Sequence, residues 1–108
     1  MNPNNLMKSV ELEKNFRTVS DEVFDILFKI QAYVSVLEVI YKDTEKNKDQ
    51  DFIADMQMKQ ATLLKLVNKL NDIAMQAMAI NEQEVYFKCE EVKRQVADTM
   101  TVVRNLYM

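Results

Sequence analysis

Apolar residues recur along this chain at helical spacing almost from end to end. The densest stretch is Asp21 to Asp43, DEVFDILFKIQAYVSVLEVIYKD. At about 100° per residue, Val23, Leu27, Ile30, Val34, Leu37 and Tyr41 form an unbroken 4-3 seam, the pattern of helix-on-helix packing. A second apolar set, Phe24, Phe28, Ala32, Val36 and Val39, lies on the flank beyond it. Gln31, Ser35, Glu38 and Lys42 make the polar stripe. A helix that is apolar most of the way round is covered on more than one side, so this segment is expected to meet a partner on each face.

Before it, Asn2-Pro3 reads as a helix start, because Asn caps and Pro suits the first helical position. The segment that follows carries Leu6, Val10, Leu12, Phe16 and Val19 among charged residues. Two readings stay open near Ser20. Ser20, Asp21 and Glu22 suit a new helix N-terminus, with Val19 stapled to Phe24, or one helix runs from Pro3 to Asp43. Residues 43–50 are polar throughout and read as a solvated loop, with Asn47 the candidate left-handed residue.

The 4-3 pattern resumes with Ile53, Met56, Leu63, Val67, Leu70, Ala74 and Ala77, interrupted by Gln60. Leu64, Met75 and Met78 widen the stripe on one flank. Asn81-Glu82-Gln83-Glu84 resembles a capping box that starts a last helix at Asn81. That helix carries Val85, Cys89, Val92, Val96, Thr99, Val103 and Leu106 on one seam. The apolar phase passes through residues 80–84 without a jump, so one helix of about 55 residues is also allowed. A tight turn is preferred, since so long a helix needs a second chain along it. The expected architecture is all-α: one domain over residues 1–108, an antiparallel three- or four-helix bundle with short loops.

Composition narrows this further. Among 108 residues there is no glycine, and the one proline is Pro3. Sheet-rich folds and phosphate-binding loops need residues at positive φ, so they are disfavoured. The net charge of −3 and a pI near 5.0 argue against a nucleic-acid binder and against docking on anionic lipid. The charge-free runs are far shorter than the roughly 20 residues that cross a membrane. A single cysteine, Cys89, forms no internal disulfide, which fits a reducing, cytoplasmic setting.

Candidate chemistry is sparse. Without histidine there is no Ser-His or Cys-His nucleophile pair and no Glu-x-x-His ligand set. One cysteine is too few for a zinc site. The pairs Glu11/Glu13, Asp21/Asp25, Glu82/Glu84 and Glu90/Glu91 sit among basic residues and read as solvated surface. Cys89 falls on an apolar seam and reads as a small core residue. No catalytic, cofactor-binding or metal-ligating residue is therefore assigned, and no enzymatic activity or cofactor is expected.

What remains points to a non-catalytic protein–protein interaction module, an adaptor, chaperone or inhibitor, that self-associates as a homodimer. The candidate interface is Phe24, Phe28, Ala32, Val36 and Val39, with Phe87 alone on the polar side of the last helix. Met56, Met58, Met75 and Met78 read mainly as core filler. The alternative is a small-molecule binder whose pocket is lined by Tyr33, Tyr41, Met75 and Met78. A nucleic-acid site on Lys59, Lys65, Lys69, Lys88, Lys93 and Arg94 ranks last.

Overall fold

The computed structural model describes the backbone of residues 3–40 and 50–107, with side chains over 7–35, at 51 and over 53–105. Three helices account for almost all of it: α1 (Pro3–Ile40), α2 (Gln50–Ala79) and α3 (Gln83–Tyr107). Each packs against the other two. The body measures 60 × 18 × 17 Å. Its long axis is set by α1, whose 38 residues span about 57 Å at 1.5 Å each.

α1 is continuous, which settles the two readings at Ser20 in favour of one helix. Ser20 is buried, and its hydroxyl donates to the carbonyl of Arg17 at 3.1 Å, inside the helix rather than at an end. Thr18 does the same toward Lys14, also at 3.1 Å. Both hydroxyls find a backbone acceptor one turn back, so neither is needed as a cap. Residues 3–19 therefore extend the line of the helix and cannot fold back over residues 24–39.

The corner between α2 and α3 is tight, and it corrects the reading of Asn81. The amide of Asn81 donates to Met78 O at 3.1 Å, and that of Glu82 to Ala77 O at 2.7 Å. Asn81 itself sits at φ 62°. This 6→1 and 5→2 pair around a left-handed residue is a Schellman motif closing α2. Asn81 is thus the residue just past the end of α2, not the N-cap of α3. The first α3 bond runs from Tyr86 N to Glu82 O, so Glu82 holds the cap position. In a chain without glycine, the left-handed position falls to asparagine, as expected for Asn47; that residue and its loop lie outside the described residues.

The core follows the three seams. Val23, Leu27, Ile30 and Val34 of α1, Met56, Leu63, Leu70, Ala74 and Ala77 of α2, and Val85, Cys89, Val92, Val96 and Val103 of α3 are all buried. Leu12 and Val19 extend the core toward the start of α1, whereas Val10, expected on the apolar side, is exposed. Cross-helix contacts fix the register: Lys93 Nζ meets Asn71 Oδ1 at 2.6 Å, and Lys88 Nζ lies 3.8 Å from Glu13 Oε1. One cleft brings Leu12 beside Ile80, and another brings Val19 beside Ile73.

Candidate protein-docking face

The expected interface is only partly covered within the chain. Phe24 is 41% exposed and Phe28 72% exposed, and Ala32 is also exposed. The side chains of Val36 and Val39 lie outside the described residues. The reason follows from the continuity of α1. Had the chain broken near Ser20, its first segment was the natural cover for this flank. As one rod, α1 turns Val23, Leu27 and Ile30 into the core and leaves the Phe24/Phe28 side open.

Across from these rings stands α3. Phe24, Leu27, Phe28 and Gln31 form one wall of an open cleft, and Arg94, Gln95, Asp98 and Thr99 form the other. Arg94 is held in place by its neighbours. Its Nε donates to Glu91 Oε2 at 3.2 Å, its Nη2 to Glu91 Oε1, and its Nη1 to Asp98 Oδ2 at 3.2 Å. Hydrogen bonding to Arg94 lowers the Glu91 carboxyl below its usual range, and the same bonds raise the Arg94 guanidinium. The group is fully ionic and exposed, so it fixes side-chain direction more than it stabilises the fold. The cleft therefore combines two aromatic anchors with a pre-oriented polar rim.

Phe87 is 63% exposed and stacks edge-on against Tyr86, with ring centroids 5.5 Å apart. It lies two turns before Arg94 on α3 and is not among the residues lining the cleft, so it is a separate feature.

The methionines depart from the core-filler expectation. Met56 is buried, but Met58, Met75 and Met78 are exposed. The core seam of α2 runs through Leu70, Ala74 and Ala77, which turns Met75 and Met78 to the outside. Tyr33, by contrast, packs against the core, and none of the described clefts is lined by Tyr33, Met75 or Met78. Tyr41 lies outside the described residues.

Other chemistry is thin. Burial pushes the Cys89 thiol up to about 11, partly offset by nearby Lys93 and reinforced by Glu90. Among the described residues there is no group of three or more metal-ligating side chains. Lys59, Lys88, Lys93 and Arg94 each face a carboxylate. No described helix is long and apolar enough to cross a membrane. In comparisons with protein-family models, with curated proteins and with solved structures, nothing matches this chain.

Proposed function

We propose that the chain is a non-catalytic protein–protein interaction module of the adaptor, chaperone or inhibitor kind, and that it self-associates. One observation carries the docking role: Phe28, 72% exposed beside Phe24, on the flank of α1 next to its core seam. Large aromatic side chains left in water beside a polar rim are the usual form of a binding hot spot. The bundle supports this as a rigid platform. The proposed arrangement is up-down-up, with α2 antiparallel to both neighbours, and three contacts support it. Leu12 lies near Ile80 and Val19 near Ile73, while Asn71 and Lys93 straddle the α2–α3 corner symmetrically.

The test is co-purification with a stoichiometric protein partner from the native cell, comparing wild type with Phe28→Glu. A partner retained by the first and lost by the second, with helicity unchanged by circular dichroism, supports the reading. Equal capture by both removes the Phe24/Phe28 face from it.

A further inference from the structure

The outward side of α2 carries a second seam, of which the fold engages only Asn71, through Lys93 of α3. Ala61, Leu64, Asn68, Asn71, Met75 and Met78 continue the 4-3 alternation of a helix-pairing stripe for almost five turns. Leu64 is 62% exposed, Met75 72% and Met78 58%. None of the six is charged. The outward faces of the other helices differ: Lys14, Asp21, Asp25 and Lys29 mark that of α1, and Glu84, Glu91, Arg94 and Asp98 that of α3.

We propose that this seam is where a second copy of the chain docks, antiparallel about a two-fold axis passing between residues 69 and 70. It rests on the self-association reading above and assigns it to a different surface, leaving the Phe24/Phe28 cleft for another protein. The occupant is argued from self-complementarity. In that register Ala61 meets Met78 of the second copy, Leu64 meets Met75, and Asn68 meets Asn71. Small therefore faces large, apolar faces apolar, and amide faces amide. Asn71 Oδ1 already accepts from Lys93 at 2.6 Å, which leaves its amide N–H groups to donate to Asn68 of the second copy. A polar pair within an otherwise apolar seam selects one register.

The flanking charges agree. Lys65 and Asp72 each follow a seam residue directly, so they lie on the same edge, two turns apart. Among the described residues neither has an ion-pair partner within the chain. The antiparallel two-fold places Lys65 opposite Asp72 of the second copy, twice by symmetry. A parallel pairing puts them on opposite edges and leaves both unmatched. The contact is a strip about 30 Å long and one helix wide, below the standard size of a stable interface, so the dimer is expected to be weak.

Sedimentation equilibrium up to about 200 µM, chosen for a contact of this size, tests the proposal. Wild type should dimerise, and Leu64→Glu should be monomeric throughout with helicity intact, since Leu64 contributes little to the core. Lys65→Asp and Asp72→Lys should each weaken dimerisation about five- to thirty-fold, and the double exchange should restore it. The restoration should fade in molar salt. A wild-type monomer at this concentration overturns the self-association reading as well, and leaves the seam to a helix of a different protein. A dimer broken by Phe28→Glu but not by Leu64→Glu keeps that reading and overturns the α2 assignment. Loss with Leu64→Glu but no rescue by the charge exchange overturns the antiparallel register.

Discussion

The amide of Glu82 reaches back across the α2–α3 corner to the carbonyl of Ala77 at 2.7 Å. That bond, with the one from Asn81 to Met78, ends α2 and sets the direction of α3. It requires Asn81 to hold φ 62°, in a region where most residues pay steric strain.

Substitution at Asn81 should follow left-handed tolerance rather than capping strength. Asn81→Gly should stabilise the fold, and Asn81→Ala and Asn81→Ser should each lose about 1 kcal/mol. An N-cap role predicts that Ser matches Asn and that Gly is slightly worse. Denaturant melts of the three variants separate the two, and a stable Asn81→Ser protein would contradict the Schellman assignment.

Ser20→Ala should be neutral or slightly stabilising. The hydroxyl only doubles a bond that the helix already makes at Arg17 O, and Ala is the better helix former. A loss of about 1 kcal/mol or more would mark Ser20 as a true cap and place a helix end there.

Leu70 is fully buried in the core. Leu70→Ala should cost about 2–5 kcal/mol, a large part of the about 5–15 kcal/mol that holds a domain of this size. Chemical denaturation showing under about 1 kcal/mol would mean that the core is not packed as described.

Cys89 gives the fold a pH dependence at the alkaline end. Its folded pKa, about 11, lies above the ordinary value of 9.0, so the native state holds the proton more tightly than the unfolded chain. The corresponding stability is complete below about pH 9 and declines as pH rises toward 11, by about 3 kcal/mol in total. Wild type should thus lose more stability than Cys89→Ala between pH 8 and pH 11. Identical pH profiles would place the thiol in contact with water. At pH 8 the native thiol should also react slowly with a disulfide reagent and quickly once denatured.

Much of this was legible from residue order alone. Val23, Leu27, Ile30 and Val34, Leu63 and Leu70, and Val85 through Val103 had to share faces, because a 3.6-residue helix allows no other alignment of their spacing. The same periodicity and the absence of glycine call for helices and no strand, as found among the described residues, but leave three helices and four equally open. Hydrophobic phase is a local property, so a linear sequence records it fully.

Direction and cover are not local, and there the tertiary structure decided. Ser20 and Asn81 both carry side chains that suit a cap, and nothing in their neighbours says which helix they serve. Packing left Ser20 inside a straight α1 and put Asn81 beyond the end of α2, in the left-handed turn. The apolar width of α1 around Phe24 and Phe28 looks the same in sequence whether an earlier helix folds over it or solvent does. Likewise Met75 and Met78 differ from the buried Ala74 and Ala77 by a rotation of about 100° on the same helix. Which of those faces met the other two helices depended on the sum of contacts between elements distant in the chain, and that sum exists only once they have packed together.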